Sequence, residues 1–159
     1  MPMHLEGSCR CGAVRFSFDS NTPYPYQRCY CSICRKSAGG GGYAINIMGV
    51  ADTLQVQGRH ALGVWHAMID GAKGSADRHY CRRCGVALWV SDEQWPELIH
   101  PFASAIDTPL PTPPVSVHLL LRDKASWVEP QIGPDDACYD GYPELSIEEW
   151  HKRRKLWIE

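Results

Sequence analysis

The sequence predicts a mainly β, single-domain protein of short antiparallel strands with one helix at its C-terminal end. Three patterns carry that expectation. Apolar residues alternate in brief runs, as at Val14, Phe16 and Phe18 or at Tyr43, Ile45 and Ile47, which is the two-residue period of a half-buried strand. Six prolines between Pro96 and Pro114 remove backbone donors and keep that stretch out of helix. Near the end, Ser146 stands three residues before Glu149 and ahead of Ile147 and Trp150, the S-x-x-E signature of a capping box.

Taken in order, Gly7 to Gly12 reads as a turn and Val14 to Phe18 as the strand after it. Asn21 to Pro25 is a loop, and Ser32 to Lys36 forms a single helical turn that the glycines Gly39 to Gly42 end. Tyr43 to Ile47, Leu54 to Val56 and Leu62 to Met68 are read as strands, with Asp70 to Gly74 a turn. A short strand ends at Tyr80, a C-x-x-C-G turn comes next, and Val86 to Val90 returns as its partner. Val115 to Leu121 is a further strand and Trp127-Val128 another, while Trp65, Trp89 and Trp127 are assigned to the core. The helix is expected over about 146–158, with Lys152 to Lys155 a solvated basic face near its C-terminus. One domain spans 1–159, with its motif-bearing core at 7–143.

Composition narrows the partners. The net charge is -2 and the pI about 6.4, so no general attraction to phosphate backbones is expected. No apolar run reaches the length of a membrane span, and the first residues lack the features of a secretory leader. A cytoplasmic protein without nucleic-acid or membrane partners is therefore expected.

Eight cysteines lie at 9, 11, 29, 31, 34, 81, 84 and 138, and seven of them fall in C-x-C or C-x-x-C groups. That is metal-ligand spacing, and neighbours such as Cys9 and Cys11 seldom bond to each other. The ligands divide as four plus three. Cys9-x-Cys11 with Cys81-x-x-Cys84 makes a closed structural zinc site that ties an early strand to a later hairpin. Cys29, Cys31 and Cys34 are left as an open, catalytic one. Other groupings, such as Cys9 and Cys11 with Cys29 and Cys31, fit the same spacing. Cys138, His4, His79, His100 or His118 is available to close the triple, and otherwise the histidines read as ordinary polar residues and Cys138 as a spare thiol. The C-x-C-x-x-C spacing does not match the usual iron–sulfur patterns. Three anionic sulfurs make zinc a soft centre, better suited to a thiol than to acidifying water.

Three segments carry a family resemblance: Gly7 to Val14 (GSCRCGAV), Cys29 to Ser37 (CYCSICRKS) and Tyr80 to Gly85 (YCRRCG). Ile106-Asp107, Asp123 to Val128 and Tyr142-Pro143 extend it. The chain resembles the glutathione-dependent formaldehyde-activating (GFA) family, which also includes centromere protein V. The resemblance implies a β-tent fold with two zinc ions, structural at Cys9, Cys11, Cys81 and Cys84 and catalytic at Cys29, Cys31 and Cys34. It also implies a carbon–sulfur lyase that joins glutathione to formaldehyde. The alternatives are a non-catalytic zinc-binding module and a redox- or metal-responsive protein.

Overall fold

The computed structural model describes residues 1–159 and is mainly β. In chain order the strands are β1 (Met3–Ser8), β2 (Arg15–Ser20), β3 (Gln27–Cys29), β4 (Ala44–Ile45), β5 (Gly49–Val50), β6 (Gln55–Gln57) and β7 (Leu62–Trp65). They continue as β8 (Met68–Ile69), β9 (Ala72–Lys73), β10 (Asp77–Cys81), β11 (Ala87–Ser91), β12 (Leu98–Pro101), β13 (Val117–Leu119) and β14 (Ala137–Cys138). Helix α1 (Ser32–Ala38) comes after β3, and α2 (Ile147–Arg153) closes the chain. No helix is long and apolar enough to cross a membrane.

Three sheets result, beside the small β8–β9 hairpin. β1-β2-β6 is antiparallel, and so is the larger sheet in the order β5-β12-β11-β10-β7. The third runs β14-β13-β3-β4, with β13 parallel to both β14 and β3. The main core forms where β2 faces the larger sheet: Phe16 and Phe18 stack on each other, and Phe16 meets Trp89 with ring centroids 5.0 Å apart. A second core joins α2 to the third sheet, where Trp150 lies flat against Tyr26 at 3.7 Å.

Several expectations are sharpened. β1 was not foreseen, although Leu5 and Gly7 alternate inward with His4 and Glu6 outward. Asp70 and Gly71, both at positive φ, make the tight β8–β9 turn, so the hairpin is closed by two residues. The proline-rich segment is free of α-helix as expected, yet it contributes β12. Trp127-Val128 is not a strand: the chain turns there, Val128 N–H bonding Ala125 C=O at 3.1 Å. Trp89 is in the core, but Trp65 and Trp127 are 38% and 68% exposed and do not serve it.

The capping box is present: Ser146 Oγ accepts from Glu149 N–H at 3.1 Å, and Glu149 Oε2 accepts from Ser146 N–H at 2.9 Å. The helix nevertheless stops at Arg153, five residues short of the expected end at 158. Lys155 takes the left-handed conformation (φ 59), so that its N–H bonds Lys152 C=O and the Leu156 N–H bonds His151 C=O. That pairing is a Schellman stop, built without the glycine that would have announced it. The chain then folds back, and Ile158 N–H reaches Asn21 C=O at 3.0 Å.

Gly58 lies directly after β6, where the chain leaves the first sheet on its way to β7. It sits at φ 82, and a Cβ there would lie 1.8 Å from the Ala13 carbonyl oxygen. Gly58→Ala therefore meets both backbone strain and a backbone clash, and is expected to lower stability by about 2 kcal/mol or more. Urea unfolding that shows an unchanged midpoint would contradict this.

Candidate metal centres

The four-cysteine cluster is made by two similar turns. Between β1 and β2, Cys9 N–H bonds Val14 C=O at 3.0 Å while Val14 N–H points back at Cys9 Sγ at 3.3 Å. Between β10 and β11, Cys81 N–H bonds Val86 C=O at 3.0 Å, and Arg83 N–H points at Cys81 Sγ at 3.4 Å. Each turn thus aims backbone donors at its first sulfur. Cys9–Cys11 and Cys11–Cys81 are separated by 3.6 and 3.8 Å between sulfurs, and all four sulfurs lie within 4.8 Å of one another. Cys9 and Cys81 are buried, whereas Cys11 and Cys84 stand towards the surface.

The three-cysteine cluster sits at the junction of β3 and α1. Cys29 ends the strand and is buried. Cys31 is the N-cap of α1, its Sγ accepting the Cys34 N–H at 3.3 Å. The helix runs seven residues, longer than the single turn expected. Cys34, one turn in, returns its sulfur to the other two, and the three lie within 4.8 Å of one another. Asn46 Oδ1 stands 3.8 Å from Cys34 Sγ.

None of the other candidate ligands joins the triple. Cys138 is exposed on β14. His4 bonds Asp19 at 2.8 Å, His79 stacks on Trp89, and His100 packs edge-on against Trp95. His118 spends both ring nitrogens on Tyr30 and Asp136. The alternative grouping of Cys9 and Cys11 with Cys29 and Cys31 does not occur, because the two clusters form separately.

Both clusters fit a zinc ion. Tetrahedral coordination at about 2.3 Å per Zn–S bond places neighbouring sulfurs about 3.8 Å apart, close to the 3.6 and 3.8 Å in the four-cysteine cluster and inside the 4.8 Å within which the three sulfurs lie. The charges agree. Hydrogen bonds from Cys29 and Cys34, with backbone N–H groups added, pull Cys31 down to about 2, and the bond to Cys31 pushes Cys29 far up. One thiolate thus stabilises itself at its neighbours' expense, and a cation is what lets all three ionise together. Although the bond from Cys29 favours the ionised form of Cys34, Cys31 and burial outweigh it and push that thiol up to about 12, with Arg78, over the Trp65 ring at 5.7 Å, opposing the rise. Arg35 and Arg78 each bury an Nε without a partner.

One buried constellation escaped the sequence reading. Tyr30, between two of the clustered cysteines, meets His118 Nδ1 through its hydroxyl at 2.9 Å, and His118 Nε2 meets Asp136 Oδ2 at 2.9 Å. Nothing in local spacing links positions 30, 118 and 136. Separately, a groove of about 530 Å³ beside α1 is lined by Ile33, Lys36, Trp65, Met68 and Tyr80, among others. At 100° per residue, Ile33 and Lys36 fall on the helix face turned away from Cys34, and no clustered cysteine lines the groove.

Comparison with known proteins identifies relatives of this chain. The family model for glutathione-dependent formaldehyde-activating enzymes matches residues 4–121. A Halomonas elongata protein, named as a candidate glutathione-dependent formaldehyde-activating enzyme, is 60% identical over 154 residues, covering 97% of this chain and 98% of that one. The crystal structure of a Rhodobacter sphaeroides protein superposes with a TM-score of 0.53 at 26% identity, over 67% of this chain and 91% of that one.

Asp136 supplies a pH test of the buried constellation. The bond from His118, with those from the Ser116 and Gly133 N–H groups, lowers its carboxyl from 3.8 to about 2. A depressed acid stabilises the fold fully above its ordinary value and loses that contribution as pH falls through the folded value. The deficit in melting temperature of Asp136→Asn is therefore expected to be largest above pH 3.8 and to close towards pH 2. A deficit independent of pH across that window would refute the assignment.

Proposed function

The chain belongs to the glutathione-dependent formaldehyde-activating family, and on that premise we propose that it is a zinc enzyme of the carbon–sulfur lyase type, joining a small glutathione-like thiol to an aldehyde such as formaldehyde. In this reading Cys9, Cys11, Cys81 and Cys84 hold a structural zinc, and Cys29, Cys31 and Cys34 hold a catalytic one. The observation that carries it is the unequal size of the clusters: four sulfurs gather in one, and three in the other with no further ligand joining them. Four protein ligands complete a tetrahedron, whereas three leave a position for substrate.

When bound at the triple, zinc supplies a soft Lewis-acidic position suited to a thiol sulfur. The chain's own groups prepare that position. The Cys34 N–H holds Cys31 Sγ, and the α1 backbone around it favours the ionised sulfur. Arg78 opposes the negative charge that accumulates beside Cys34. Half-burial of Cys31 and Cys34 confines the approach. The overall reaction adds the thiol S–H across the aldehyde C=O: a C–S bond forms, the C=O π bond breaks and the proton ends on the new hydroxyl. The reverse reaction releases the aldehyde.

Two measurements test the proposal. Protein purified without chelator is expected to carry two zinc ions per chain, falling to one in Cys31→Ala with the fold intact. Unfolding of that variant would instead make the triple structural. Exchange spectroscopy on glutathione and formaldehyde is expected to show hydroxymethyl-adduct formation faster with the protein than without, and Cys31→Ala should return it to the uncatalysed rate. No acceleration from the doubly metallated protein would remove the formaldehyde assignment.

A further inference from the structure

We infer that Tyr30, His118 and Asp136 form a positioning chain that sets how tightly the three-cysteine cluster holds its metal; this rests on the proposed metal role of that cluster. In an extended segment successive side chains face opposite ways, so Cys29 and Cys31 turn to one side and Tyr30 to the other. Tyr30 is gripped twice by neighbouring residues of β13. Its N–H bonds Leu119 C=O at 3.1 Å, and its hydroxyl bonds His118 Nδ1 at 2.9 Å. With Asp136 ionised, the His118 Nε2–H donates to Oδ2 at 2.9 Å, and in the tautomer which that bond selects Nδ1 accepts from the tyrosine hydroxyl.

Asp136 is itself anchored. Its Oδ1 accepts from Ser116 N–H at 2.8 Å and its Oδ2 from Gly133 N–H at 2.9 Å, so the carboxylate cannot swing away. Tyr30 and His118 are fully buried, and the Asp136 side chain is 11% exposed. Burying this many polar groups carries a desolvation cost that a wholly apolar cluster of the same volume would avoid. Directional bonds do what an apolar ring does not: they fix the rotation and the height of the residue between two metal ligands. Partners bonded to a metal ligand govern metal affinity, and these bonds act one residue removed, through the backbone that carries Cys29 and Cys31.

The four-cysteine cluster provides an internal control, since backbone bonds within its own turns hold it and it shares no residue with this chain of contacts. Tyr30→Phe removes only the hydroxyl. In the full-length, zinc-loaded protein, competition with a chromophoric chelator is expected to show zinc at the triple held roughly ten- to hundredfold more weakly, with the four-cysteine site unchanged. His118→Gln should move the same site in the same direction, and the cobalt-substituted protein should show an altered thiolate-to-metal absorption for that site alone. Equal affinities in Tyr30→Phe and the unaltered chain, or equal weakening of both sites, would overturn the inference. If the unaltered triple takes up no zinc while the other cluster does, the metal reading itself fails first, so the two failures are separable.

Discussion

Four sulfurs that come within 4.8 Å of one another from turns seventy residues apart in sequence are the constraint on which the rest of the structure depends. The β1–β2 turn brings two of them and the β10–β11 turn the others, so the small sheet and the larger one are tied at this point. Beneath it, Cys9 and Cys81 belong to the same buried cluster as Phe16, Leu88 and Trp89. At 3.6–3.8 Å such sulfurs cannot all be anionic unless a cation lies among them. In the proposed reading, holding the sheets together and binding a metal are one physical requirement at this end of the molecule.

The three-cysteine cluster is built differently. Its cysteines come from one short segment, so it does not hold distant parts of the chain together. Instead the distant parts hold it. β13 supplies the strand pairing that ends β3 at Cys29, while Leu119 and Leu120 pack against that sulfur. His118 reaches Tyr30, the residue between the first two cysteines. A cluster shaped from outside in this way can present three sulfurs without needing a fourth to keep its geometry, which is what the proposed open site requires.

Legibility tracked the range of the interaction. Strands with clear alternation, such as those carrying Phe16 and Phe18 or leading into Cys81, were readable because each residue's facing is set by its immediate neighbours. The capping box was readable for the same reason. The end of α2 was not, because Lys155 adopts a left-handed conformation for which no glycine gives warning. Trp65 and Trp127 look like core residues by type, yet stand substantially exposed. β14, only two residues long, exists because β13 offers it an edge, not because Ala137 and Cys138 favour strand.

From the chain alone came the mainly β class, the closing helix, the seven clustered cysteines and the soft chemistry of thiolate ligands, since all of these are local properties of residue type and spacing. Spacing could pair Cys81 with Cys84 or Cys29 with Cys31, for a turn is a few residues long. It could not decide which pairs share a centre, because sheet register and the packing of β2 against the larger sheet determine that. Nor could it show that His118 is no ligand but faces Tyr30 from behind the three-cysteine loop. That contact spans eighty-eight residues and exists only because β13 runs parallel to β3.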